Sequence, residues 1–226
     1  MQTQGWKMDV PKVSIITRCL NRLEYTAQVL NAVKRRTKMS YEHIIVDNCS
    51  TDGTNQWFNW MHANTYWYKG TVRYFRMPRN LGDWGGMLAG FEQAKGKYIV
   101  QLDNDIIPAE GWLKAMIEVY ERSDYNVVML KRANVAWKLK PLSHLKIGQW
   151  ETARVERAVA CYLMHRMDFS TLVKHIPENK GLQSKYIMAK HLSPIGKILN
   201  LSCIELEAED QRIKYNPKNP QIWEKV

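Results

Sequence analysis

Four short apolar runs, each followed by a stretch of helical periodicity, constrain this chain more than any other feature. Residues 13–17 (VSIIT), 43–47 (HIIVD), 72–75 (VRYF) and 98–102 (YIVQL) have strand length and are rich in β-branched and aromatic residues. Residues 25–37 place Ala27, Leu30 and Val33 on one helical face, and residues 54–61 do the same for Trp57, Trp60 and Met61. Residues 85–94 align Leu88, Phe91 and Ala94, and a helix beginning just after Pro108 and running to about Glu121 would bury Trp112, Met116 and Val119. Strand and helix in alternation imply a mostly parallel central sheet with helices on both faces, a Rossmann-like α/β fold. In such a sheet, ligands bind beyond the carboxyl ends of the strands.

Past Lys131 the pattern weakens. Residues 128–130 and 158–164 read as further strands and 168–175 as a short helix, whereas 180–197 lack clear periodicity and read as a mobile loop. Pro217 and Pro220 make the tail extended. With 226 residues, no internal repeat and no low-complexity linker, the expectation is one domain over 1–226.

Composition excludes several classes. The longest apolar runs are a few residues long, far below the ~20 that a membrane-crossing helix needs. Residues 1–12 lack the apolar core of a secretion signal, so a cytoplasmic protein is expected. Cys19, Cys49, Cys161 and Cys203 form no CxxC pair, which points to reduced, mostly buried thiols in place of a zinc ribbon or dithiol centre. The net charge of +11 is concentrated in residues 131–200, where 13 basic residues face 4 acidic ones. That segment could meet phosphate, an anionic membrane surface or nucleic acid, or it could serve only as a solvated face.

Polar clusters follow the first, second and fourth strands, where the fold puts ligands, and another precedes a helix. Asp103, Asn104 and Asp105 directly follow the fourth strand. Two carboxylates two residues apart can share a hard cation such as Mg²⁺ or Mn²⁺, which prefers oxygen ligands. Asp47 ends the second strand, where a carboxylate without capping duty is free to accept a base or ribose hydrogen bond. The Ser50 and Asp52 that follow read as turn and cap residues. Arg79, Asn80 and Gly82 precede a helix whose glycines, including Gly85 and Gly86, either let backbone approach a phosphate or simply pack tightly. A fourth group, residues 18–22, closes the first strand.

Taken together and in order, VSIITRCLNR, HIIVDNCSTDGT, RNLGDWGG and YIVQLDND resemble the inverting glycosyltransferases of family two, which share the nucleotide-diphospho-sugar transferase (GT-A) fold. The resemblance covers roughly residues 12–120, and Glu209 and Asp210 near the end look like the family's acidic ED motif. It implies a nucleotide-sugar-binding half over 1–130 and an acceptor-binding half over 131–226. Asp47 would bind the base, uracil by family expectation, helped by the backbone around Thr17, by Asn21, and by Arg79 or Asn80. Gly82, Asp103 and Asn104 would face the donor. Asp105, with Asp103, would hold Mn²⁺ or Mg²⁺ on the diphosphate. Asp210 would be the general base, with Glu209 contacting the acceptor. His191 is the first candidate among the histidines, ahead of His165 and His175, for an additional metal ligand. Two positions depart from the family pattern: Thr17, Arg18, Cys19, Leu20 and Asn21 stand where members often have a Pro-Thr-Tyr-Asn segment, and Asn104 replaces a middle acid.

The implied reaction moves a sugar from a UDP-sugar to a hydroxyl of a glycan or lipid-linked glycan, at a site that lies in the cytoplasm or peripherally at a membrane. A nucleotidyltransferase, the nearest rival on a similar sheet, needs a Gly-rich phosphate loop after the first strand, and residues 18–25 contain no glycine. Two further alternatives stay open: transfer to hydroxylated bases of nucleic acid through the basic segment, and a nucleotide-sugar-binding module without catalysis.

Overall fold

The computed structural model describes residues 11–64, 71–132, 141–155, 161–175 and 203–212, the last stretch by its backbone alone. The expected alternation is present as β1 (Val13–Cys19), α1 (Leu23–Arg36), β2 (Tyr41–Asp47), α2 (Thr54–Asn64), β3 (Val72–Arg76), α3 (Gly82–Gln93) and β4 (Tyr98–Gln101). There follow β5 (Ile106–Ile107), α4 (Trp112–Glu121), β6 (Val127–Arg132), β7 (Ser143–Ile147), β8 (Trp150–Val155), β9 (Tyr162–His165), α5 (Arg166–His175) and β10 (Cys203–Arg212). The expected segments 180–197 and the prolines at 217 and 220 lie outside the described residues.

The described strands share one sheet in the order β3-β2-β1-β4-β9-β6-β10-β8-β7, with β5 pairing to β10 off that path. Strands β3, β2, β1 and β4 are parallel neighbours. Strand β9 lies between β4 and β6 and is antiparallel to both, so β6 points the same way as β4. Strand β10 is parallel to β6, and among the described strands β9, β8 and the short β5 run against the common direction. The sheet is therefore mostly parallel, as expected. Helix α5 follows directly from the end of β9.

Burial follows the period of two. Ile16, Ile44, Val46, Ile99 and Met129 pack with Trp84 and Met87 of α3 and Phe169 of α5 on one face. Val13, Ile15, Val100, Val128 and Leu163 pack with Val29 and Val33 of α1 and Trp112 and Met116 of α4 on the other. Parallel strands covered on both sides read as continuous apolar runs, which is why β1 and β2 were legible as strands.

One helix face differs from expectation. In α2 the buried residues are Thr54, Phe58 and Met61, while Trp60 is 58% exposed. Positions 54, 58 and 61 follow one another at spacings of four and three residues, which keeps them on one stripe, and Trp60 falls off it. Helix α2 docks through Phe58 against Cys19, Leu30 and Ile45, so ring size did not decide which side faced inward. Among the described residues no helix is long and apolar enough to cross a membrane.

Candidate active site

The loops after β1 and β2 are tied together at the carboxyl edge of the sheet. The Asn21 backbone N–H donates to Ser50 Oγ at 2.7 Å, and the Thr51 N–H donates back to Asn21 Oδ1 at 2.8 Å. Asp52 accepts from the Leu23 N–H at the start of α1 and from the Thr54 hydroxyl at the start of α2. Ser50 and Asp52 thus have the turn and cap duties expected of them, and Asn21 shares that work. Asn21 and Arg22 both adopt left-handed backbone, φ 57 and 61, which the local side-chain bonds help to hold.

Asp47 corrects the sequence reading. It is fully buried and its carboxylate is engaged: Oδ1 accepts from the Ser50 N–H at 2.8 Å, and Oδ2 from the Tyr74 hydroxyl at 2.6 Å and Arg76 Nη1 at 3.1 Å. It caps the turn after β2 because the next residues bend sharply back, which leaves the Ser50 N–H aimed at it. Burial, with Asp47 beside it, pushes the Tyr74 hydroxyl well above its ordinary range, so that group stays a donor. Thr17 is also engaged. Its hydroxyl shares a 2.9 Å hydrogen bond with His43 Nε2, and burial lowers the His43 pKa to about 3, so the ring is neutral.

The acidic triplet sits just past β4. Asp103 Oδ1 accepts from Gln101 Nε2 at 2.7 Å and from Arg18 Nη2 at 3.0 Å. Asn104 donates to Thr26 Oγ1 of α1 at 3.1 Å, which braces the loop against that helix. Asp105 is 8% exposed. Arg18 is the residue that sequence reasoning missed. Its side chain is 8% exposed, and besides Asp103 it donates from Nη1 to the Asp83 carbonyl in the first turn of α3 at 2.7 Å. A charge at the penultimate position of an apolar strand was the available signal. Tyr162 of β9 is fully covered beside this pair. Burial raises its hydroxyl well above the usual range, with Arg18 opposing and Asp103 adding to the shift.

The start of α3 closes the edge. Gly82 has φ +70, a conformation that favours glycine, and its N–H donates to Asn80 Oδ1 at 2.8 Å. Its carbonyl accepts from Asn48 Nδ2 at 3.0 Å. Gly86 lies where a Cβ would come within 2.9 Å of Asn48 and 3.3 Å of Arg18, so this glycine is there for packing. Arg79 and Asn80 are exposed at the rim.

Strand β10 brings in the last expected group. It follows β6 in register from Cys203 opposite Val127 to Leu206 opposite Leu130, then shifts so that Asp210 pairs with Arg132. Beyond the shift, Gln211 and Arg212 pair antiparallel with Ile107 and Ile106, immediately after Asp105. Strand spacings put the Asp210 backbone roughly 11 Å from that of Asp105. The structure therefore gathers Thr17, Asn21, Asp47, Arg79, Asn80, Gly82, Asp103, Asn104 and Asp105 at one edge and leads residues 209–210 to it. His191 lies outside the described residues. Of residues 131–200, only 131–132, 141–155 and 161–175 are described, so the basic segment as a unit lies largely outside them as well. Among the described residues, no three His, Cys, Asp or Glu side chains converge as a ready-made metal cage.

A sheet of this order, with its polar groups at the carboxyl ends of the parallel strands, has the GT-A architecture. The chain belongs to glycosyl transferase family 2, whose model matches residues 14–186. It is similar to the glycosyltransferase AglE of Haloferax volcanii, 28% identical over 124 residues that make up 53% of this chain and 38% of AglE. It is also similar to TuaG of Bacillus subtilis, named as a candidate teichuronic acid biosynthesis glycosyltransferase, at 29% identity over 50% of this chain and 41% of TuaG. The chain thus spans about two fifths of the length of these curated relatives. Residues 1–349 of TarS from S. aureus superpose with a TM-score of 0.65 at 20% identity, covering 89% of this chain and 60% of that one. A second TarS structure, in complex with UDP-GlcNAc, matches with the same TM-score at 18% identity, over 91% of this chain and 59% of that one.

Proposed function

We propose that this chain is a glycosyltransferase domain that moves a sugar from a UDP-sugar to a hydroxyl of a glycan or lipid-linked glycan, with inversion at the anomeric carbon. The observation that carries the reading is the pairing of β10 with β5, which draws Glu209 and Asp210 to the edge occupied by Asp103 and Asp105. Family membership supports glycosyl transfer, the UDP-GlcNAc complex of TarS supports the donor, and the name of TuaG supports a glycan polymer as acceptor.

Each residue then has a task. Asp47, held by Tyr74 and Arg76, shapes the base pocket through those partners together with Arg79 and Asn80 at its rim. The first turn of α3 at Gly82 faces the diphosphate. The oxygen donor set fits Mn²⁺ or Mg²⁺, because such ions commonly take one or two carboxylates and complete their shell with phosphate oxygens. Asp105 would hold the ion, which when bound neutralises charge developing on the leaving diphosphate. Asp210 accepts the proton of the attacking hydroxyl, a step worth ~10²–10⁴-fold in rate. The amino-terminal half binds the donor, and residues 131–226 bind the acceptor.

The test is thermal stability against a panel of nucleotides and nucleotide-sugars, with and without Mn²⁺. A ligand at about 100 times its dissociation constant adds ~2.7 kcal/mol. Metal-dependent stabilisation by UDP or a UDP-sugar, lost in Asp105→Ala, is the expected result. Indifference to every nucleotide would falsify the donor assignment.

A further inference from the structure

Arg18 does something that the family resemblance does not assign, since it lies in the segment where members often have Pro-Thr-Tyr-Asn. We infer that Arg18 is a positioning residue that cancels the charge of Asp103 and fixes its orientation, so that the cation of the proposed donor site falls to Asp105. The inference rests on the proposed metal-dependent reading of this site.

Both hydrogen bonds recorded for Asp103, from Arg18 Nη2 at 3.0 Å and Gln101 Nε2 at 2.7 Å, land on the same oxygen, Oδ1. A carboxylate gripped through one oxygen has a fixed plane, and Oδ2 is the oxygen that remains to meet the donor. The pair is largely removed from water, with side-chain exposures of 8% for Arg18 and 15% for Asp103. In such surroundings a guanidinium at contact distance offsets most of the carboxylate's field. A divalent cation approaching the triplet therefore meets Asp103 already neutralised.

The second guanidinium arm extends the effect. Arg18 Nη1 donates to the Asp83 carbonyl in the first turn of α3, the turn that Asn48 also clamps through Gly82. One side chain thus joins the acidic triplet to the helix start that the proposal places against the diphosphate. Gly86 leaves the space in which the Arg18 stem lies, 3.3 Å from where a Cβ would stand.

The inference makes an unusual demand: removing this cation should strengthen Mn²⁺ binding in the absence of nucleotide. A purely structural arginine predicts the opposite, or no change. Mn²⁺ would be titrated calorimetrically into the wild-type chain, Arg18→Met, Arg18→Lys, Asp103→Asn and the double variant Arg18→Met/Asp103→Asn, with melting curves to establish folding. Restoring a full charge on Asp103 beside the ion should tighten Mn²⁺ by about tenfold or more in Arg18→Met. Arg18→Lys, which keeps the charge, should stay near the wild type. Asp103→Asn, which leaves the arginine unmatched, should weaken binding by a similar factor, and the uncharged double variant should return close to the wild type.

An unchanged or weakened Mn²⁺ affinity in Arg18→Met overturns the inference. If Arg18→Met does not fold, the double variant decides, because exchanging a buried ion pair for neutral groups is often tolerated. Its loss of Mn²⁺ would make Asp103 a direct ligand and defeat the inference. Donor turnover by the wild type is read separately. Turnover with no tightening in Arg18→Met sinks this inference alone, whereas tightening without turnover leaves the inference standing and sinks the catalytic reading.

Discussion

Strand β1 is buried at six of its seven positions, while β7 is exposed at four of its five. The first belongs to a parallel block whose strands are covered by helices on both sides. The second ends a hairpin, β7 with β8, whose inward side is marked by Ala153 and Val155. The polar groups follow the same division. At the carboxyl ends of β1, β2 and β4, the side chains are locked across loops by bonds such as Ser50 to Asn21 and Arg18 to Asp103. On β7 and β8, the Lys146 and Glu151 pair at 3.6 Å is about two thirds exposed on each side, a contact of little energetic weight. One region is therefore a preorganised platform, and the hairpin is a solvated surface held by weaker contacts.

The contrast can be broken at its joint. Asp210→Asn, on the strand that crosses from one half to the other, should lower turnover by ~10²–10⁴-fold while leaving donor binding intact. Equal loss of both would place Asp210 in the platform and remove it from the chemistry.

Within the platform, Asp47→Ala should reduce unfolding free energy by about 2–4 kcal/mol, because the Ser50 N–H and Tyr74 hydroxyl lose their acceptor. Chemical denaturation measures it. A change below about 0.5 kcal/mol would mean that the buried carboxylate is dispensable to the fold and is kept for the ligand alone.

His43 sharpens the picture through pH. Its folded pKa is lowered to about 3 from the ordinary 6.5 by burial, so the unfolded chain takes up the proton first on acidification. Its contribution is therefore complete above about pH 6.5 and is lost as the pH falls toward 3, at up to ~1.4 kcal/mol per pH unit. Denaturation between those limits should be flatter in His43→Gln than in the wild type, and parallel curves would contradict the buried neutral ring. At the far end of the scale, Leu145→Ser on the exposed hairpin should shift stability by no more than ~0.5 kcal/mol. A larger loss would show that the hairpin is packed in the working protein.

Most of the amino-terminal half was legible because its signals are local. HIIVD is a β-branched run of strand length, and the helices after it carry apolar residues at helical spacing. The antiparallel β9 was readable as a strand, yet its place between β4 and β6 was not, since pairing partners far apart in sequence leave no periodic trace. Asp47 shows the same limit in the site. Its position at a strand end could be read, but its partners Tyr74 and Arg76 come from β3, two elements later.

What the sequence determined by itself is most of the elements up to residue 130, their mostly parallel order, and the carboxyl edge as the place for Asp103 and Asp105. These depend on patterns a few residues long. Only the tertiary structure decided that Arg18 would neutralise Asp103, that Trp60 would face outward while Phe58 packed inward, and that β10 would shift register beside β6 and reach β5. Such outcomes depend on which surfaces meet, across 85 residues of chain for Arg18 with Asp103 and 106 for Arg212 with Ile106, and they are settled by contacts that no local window contains.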